Sequence, residues 1–190
     1  GTTTVKPLAQ SPFTPSAYSS TAITTYGAGY FNGTTDYVQV PYSANYGTLT
    51  ADFTIEVWFY PTVSNMSSGT IITSRNFSTN QYVPYIVWMA STTVTVYMSS
   101  DAASWNVING ASGGTATINA WNHFALVRSG TAIKTYLNGI VQTAAATSSA
   151  TFTNPSIPLN IGVSLNDSSP YFTGYITDLR IVKGTALYTS

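Results

Sequence analysis

Cysteine is absent from all 190 residues, so neither a disulfide framework nor a thiolate metal centre is open to this chain. Charge is almost as scarce. Six Lys/Arg and six Asp/Glu make up 6% of the residues, against about 25% in an ordinary soluble domain, and the formal net charge is zero. A neutral surface offers no basic stripe to a phosphate backbone, which argues against nucleic-acid binding. Runs of about 18 apolar residues are missing, so no membrane span is predicted. The opening Gly1-Thr2-Thr3-Thr4-Val5-Lys6 lacks the charged-then-apolar layout of a signal peptide. Helical periodicity appears nowhere over a useful length.

Thr, Ser, Asn and Ala fill the space that charge leaves, and 44% of the residues are hydrophobic. That is enough for one domain of ordinary size to bury a core. Zero net charge also removes the repulsion that keeps a protein apart from its neighbours. A chain held in a large extracellular assembly, as a homo-oligomer or against other subunits, is therefore expected.

Residues 1–25 hold Pro7, Pro12 and Pro15 amid Ser and Thr and read as an extended arm or linker. The compact domain is expected over residues 26–190. Phe53-Thr54-Ile55-Glu56-Val57-Trp58-Phe59-Tyr60 alternates with period two, putting Phe53, Ile55, Val57 and Phe59 on one face and Thr54, Glu56, Trp58 and Tyr60 on the other until Pro61 ends it. Further strands are predicted at 36–40, 70–74, 82–89, 93–98, 122–128, 133–137, 159–163 and 171–182. Asn138-Gly139 between apolar runs predicts a type I′ hairpin leading into 140–143. Many short strands and no helices point to an all-β, two-sheet antiparallel jelly-roll sandwich.

Four segments in order sharpen this: Tyr30-Phe31-Asn32-Gly33-Thr34-Thr35-Asp36-Tyr37-Val38; Asp52-Phe53-Thr54-Ile55-Glu56-Val57-Trp58-Phe59-Tyr60-Pro61; Trp121-Asn122-His123-Phe124-Ala125-Leu126-Val127-Arg128 with Leu137-Asn138-Gly139; and Gly174-Tyr175-Ile176-Thr177-Asp178-Leu179-Arg180-Ile181. Together they resemble the laminin-G-like branch of the concanavalin-A-like lectin/glucanase superfamily. The ending from Arg180 to Thr189, with Ser11-Pro12-Phe13-Thr14-Pro15 upstream, resembles versions in structural proteins of marine bacteriophages, which occur in fibres, appendages and decorating proteins. The resemblance implies two curved sheets with binding on a concave face or at the loop rim. It also implies an extracellular, virion-surface setting with capsid or tail proteins as partners, and a cell-surface glycan as ligand. Export through virion assembly, or processing of the chain, would account for the unusual N-terminus.

Catalysis fits poorly. Glycoside hydrolysis usually needs two carboxyl groups about 5–10 Å apart, and relatives with that activity resemble one another in an E-x-D-x-x-E strand. Here Glu56, the only glutamate, is followed by Val57 and Trp58, so a non-enzymatic module is expected. His123 is the only histidine; the resemblance implies a structural hydrogen-bonding role in a strand packed between sheets. Calcium is the cofactor that relatives use, through oxygen ligands at the loop rim. Asp36, Asp101 and Asp167 are its candidate ligands here, although turn formation explains the same residues. Aromatics reach 14%. Tyr82, Tyr85, Trp88, Tyr97 and Trp105, with Asp101, Asn106 and Asn109 nearby, form a candidate carbohydrate platform, rings against sugar faces and polar groups on hydroxyls.

Overall fold

Two antiparallel sheets face each other across a hydrophobic interior in the computed structural model, which describes residues 27–76, 78–79, 81–167 and 171–189. The predicted arm, 1–25, lies outside the described residues. With strands numbered along the chain, the first sheet runs β1 (Gly29–Asn32), β15 (Thr173–Lys183), β4 (Phe53–Pro61), β9 (Asn122–Ser129), β10 (Ala132–Leu137) and β11 (Ile140–Val141), with β12 (Ala146–Thr147) also on β10. The second runs β2 (Val38–Val40), β14 (Leu159–Ile161), β5 (Gly69–Thr73), β6 (Ile86–Ala90), β7 (Thr93–Met98) and β8 (Ile108–Thr115). A ribbon of β3 (Thr48–Leu49) with β13 (Phe152–Thr153) and one helical turn, α1 (Ala44–Gly47), sit at the margin. The all-β jelly-roll sandwich read from the sequence is the observed architecture.

Period-two alternation decides which residues fill the interior. On β4, Phe53, Ile55, Val57 and Phe59 are at most 1% exposed. They meet Phe124 and Leu126 of β9 and, from the second sheet, Val87, Met89, Val94, Val96 and Met98. Thr54, Glu56, Trp58 and Tyr60 take the outer face. Their register is set by pairing of Glu56 with Ala125 and Arg180, and of Trp58 with His123 and Thr177. The Asn138-Gly139 turn has φ of 52° and 79°, as a type I′ hairpin requires.

Several boundaries differ for local reasons. The strand predicted from 82 begins at Ile86, because Pro84 has no N–H to give a ladder. The strand from 159 stops at Ile161, before Gly162, whose φ is +85° and where a Cβ would lie 2.3 Å from the Phe31 ring. Strand β8 was not predicted: Ile-Asn-Gly-Ala-Ser-Gly-Gly-Thr shows no alternation, and its pairing with β7 is interrupted by two register shifts.

In β15 a register shift separates Thr177 from Arg180. The extra residue lets Leu179 pack toward the interior while Asp178, with φ 51°, lines a cavity on the outer face. Re-aiming a side chain is a common use of a bulge.

Candidate functional site

Four aromatic rings form a continuous patch on the outer face of the second sheet. On β6 and β7 alternate residues point inward, so Trp88 and Tyr97 are left facing out, their rings 5.5 Å apart. After β7 the chain turns around Asp101, whose Oδ1 accepts hydrogen bonds from the N–H groups of Ala103 (2.8 Å) and Ser104 (2.9 Å) and from Ser99 Oγ (3.0 Å). Asn106 closes the loop: its Oδ1 accepts from Ser100 N–H at 3.0 Å, and its Nδ2 donates to Ser100 Oγ at 2.9 Å. The loop so folded holds Trp105 at 5.1 Å from Tyr97 and 5.2 Å from Tyr82. All four rings are half-buried. Interplanar angles from 54° to 87° make the patch ridged rather than flat.

Of the residues expected in the platform, Tyr82, Trp88, Tyr97 and Trp105 are brought together. Tyr85 is not. It is 3% exposed within the hydrophobic interior, and burial pushes its phenol pKa well up. Its parity with Val87 and Met89 was the available signal, since residues two apart share a face. Asp101 and Asn106 stand beside the patch, but the oxygens expected to fix sugar hydroxyls are engaged in folding the loop. The Ala103 and Ser104 N–H bonds hold the Asp101 carboxyl down at about 2. Sequence reading missed Arg75, a buried guanidinium whose Nη1 meets Asp167 Oδ2 at 3.2 Å close to Tyr82 and Tyr97.

The calcium ligands do not assemble. Asp36 sits in a turn organised by Asn32 Oδ1, which accepts from the N–H groups of Thr34, Thr35 and Asp36. Asp101 serves its own loop, and Asp167 is paired with Arg75. No group of three His, Asp or Glu side chains that could hold a metal ion occurs among the described residues, whereas calcium needs about six to eight oxygens. Asp36, Asp101 and Asp167 do not form one site for that ion.

A second cluster occupies the outer face of the first sheet. Glu56, 5% exposed, accepts from Arg180 on Oε1 and from Tyr188 on Oε2, where His123 Nε2 also lies at 3.2 Å. Burial pushes the Glu56 carboxyl up, but the bonds from His123, Tyr188 and Arg180 and the Arg180 charge outweigh it, leaving the pKa at about 2. Burial and the bond to Glu56 raise the Tyr188 phenol to about 12. His123 therefore has the hydrogen-bonding role expected of it, but on an outer face, with its ring 5.0 Å from Trp58, and not between the sheets. With both oxygens engaged, Glu56 is poorly placed to act as nucleophile or base.

Residues 32–187 match the laminin-G type 3 family, described as concanavalin A-like lectin/glucanases superfamily. No curated protein matches the sequence. The fold is similar to that of Ruminococcus gnavus IT-sialidase CBM40 bound to α2,3-sialyllactose, with TM-score 0.63, 14% identity, and coverage of 84% of this chain and 90% of that one. Domain 4 of AbnA, a GH43 extracellular arabinanase from Geobacillus stearothermophilus, in complex with arabinotriose, gives TM-score 0.53 and 20% identity over 84% of this chain and 71% of that one. Mouse laminin α1 domains LG4-5 give 0.58 and 16% over 81% and 40%. At such identities the likeness is one of fold. The family match spans most of the chain, and with the two-sheet architecture it places this protein in the concanavalin A-like lectin/glucanases superfamily.

Proposed function

We propose that this domain is a non-enzymatic glycan-binding module whose contact surface is the patch Tyr82–Trp105–Tyr97–Trp88. The observation that carries this is four half-buried rings in unbroken contact on one outer sheet face. Such rings present apolar surface to the C–H faces of sugars. Two proteins of similar fold were solved with an oligosaccharide bound, a sialyllactose and an arabinotriose, which supports the same ligand class here. Display outside the cell on a virion, against capsid or tail proteins, extends this reading and rests on the resemblance of the closing segment to phage structural proteins.

A glycan array followed by titration of the best ligand tests it. Trp105→Ala is expected to weaken binding about thirtyfold, ~2 kcal/mol, as for a central aromatic anchor. Absence of binding to any array glycan, or an unchanged affinity in Trp105→Ala, would overturn the assignment.

A subunit built to pack against its own copies is the second reading. It is favoured by Tyr30, 52% exposed on β1, and by Ile140 and Val141, 67% and 54% exposed on β11. These strands are opposite edges of one sheet, and exposed edges invite strand pairing between chains. Light scattering after size exclusion is expected to show a defined oligomer under this reading, and a clean monomer at micromolar concentration counts against it.

A further inference from the structure

The outer face of the first sheet carries a cavity of about 400 Å³ lined by Glu56, Trp58, His123, Asp178, Leu179, Arg180 and Tyr188. Its size falls within the range of about 300–1,000 Å³ common to small-molecule sites. The charges around it do not cancel. Glu56 is matched by Arg180 and held by His123 and Tyr188, which leaves Asp178 as the carboxylate on this cavity with no hydrogen-bond partner for its side chain among the described residues. The β15 bulge places it there: Asp178 takes φ 51° on the cavity side, beside Leu179, which lines the same cavity and packs against the interior.

Burial, and then the negative charge of Glu56, push the Asp178 carboxyl up, and the opposing charges of Arg180 and His123 only partly offset them. An arriving cation relieves that repulsion, whereas an anionic ligand deepens it. The half-buried Trp58 ring lines the same space, so an ammonium bonded to Asp178 can also lie against an aromatic face. Arg180, with its side chain 58% exposed, has more N–H groups than its contacts with Glu56 Oε1 occupy. Those donors suit hydroxyl oxygens.

We propose that this cavity binds a primary ammonium group carried on a polyhydroxylated ring, an unacetylated amino sugar, with Asp178 as its counter-ion and Trp58 as the face it lies against. The site is independent of the aromatic patch, which lies on the other sheet.

Calorimetric titration at neutral pH with D-glucosamine, D-glucose and N-acetyl-D-glucosamine tests this. Glucosamine is expected to bind about tenfold more tightly than either neutral sugar, ~1.4 kcal/mol. Asp178→Asn is expected to remove that preference, and because Asn adopts positive φ as readily as Asp, the bulge is kept. Trp105→Ala is expected to leave glucosamine binding intact, so failure of the patch and failure of this cavity are told apart. Equal affinity for the three sugars overturns the proposal, as does a glucosamine preference that survives Asp178→Asn. Should that variant fold poorly, wild-type protein decides: an affinity for glucosamine that does not fall with added salt is incompatible with an ionic contact at a surface cavity.

Discussion

Gly174→Ala is expected to lower the melting temperature by about 10 °C. Gly174 is the second residue of β15, where it pairs with Phe31 on one side and Pro61 on the other. Its φ is +140°, and a Cβ built on it lies 2.1 Å from the Tyr60 carbonyl oxygen and 3.1 Å from both the Phe172 ring and Pro61 Cα. Contact at that distance forces backbone to move, and the neighbours on both sides are strands held by their own ladders. Strain of this kind together with an unfavourable φ amounts to about 3 kcal/mol or more. Gly139→Ala is the control: φ is +79° there, but no atom lies within 4 Å of the added Cβ, so only the conformational cost of about 1–2 kcal/mol remains. Thermal melts of the two variants separate the contributions. A Gly174→Ala protein that melts no lower than Gly139→Ala would show that close approach is not what the glycine provides.

Acid is expected to remove on the order of 3 kcal/mol of stability through Glu56 alone. Its folded pKa of about 2 lies below the ordinary 4.5. The unfolded chain therefore takes up the proton first, and the stabilisation is complete above about pH 4.5 and lost as the pH falls through 2. Urea unfolding at pH 7, 5 and 3 measures it. Glu56→Gln is expected to be less stable than wild type at pH 7, since a neutral amide cannot replace the charge facing Arg180 and presents an N–H₂ to donors on His123 and Tyr188. The gap should close as wild type is acidified. Asp101 also titrates low, but it is present in both proteins and drops out of the difference. Parallel pH profiles for the two proteins would eliminate Glu56 as the source.

The sandwich was legible because strands two residues in period write their buried face directly into sequence. Phe53, Ile55, Val57 and Phe59 name the interior without any knowledge of what they touch, and Asn138-Gly139 names a turn through its tolerance of positive φ. Tyr85 was misplaced although the same rule would have assigned it: grouping aromatics by composition overrode the parity that sets it with Val87 and Met89. Strand β8 carries no such pattern, and its glycine-rich run becomes a strand only because β7 offers a ladder.

The candidate sites were less accessible. Glu56 is joined to His123, Arg180 and Tyr188 across 67, 124 and 132 residues of chain, separations at which sequence spacing says nothing about contact. Asp178 reads as an ordinary strand residue until a bulge, itself set by the pairing of β15 with β4, turns it outward. Trp105 lies in a polar loop and reaches Tyr82 and Tyr97 only because Asp101 and Asn106 fold that loop from within.

Sequence by itself determined the fold class, the interior face of the long strands, the hairpin turn and the scarcity of charge. All of these follow from local periodicity or composition, which act on neighbours in the chain. Tertiary structure alone decided that four aromatics form one patch, that three aspartates expected on a metal stand in separate loops, and that Asp178 faces a cavity beside Trp58. Each depends on the register between strands distant in sequence, and register is fixed by burial of whole faces against one another rather than by any single residue.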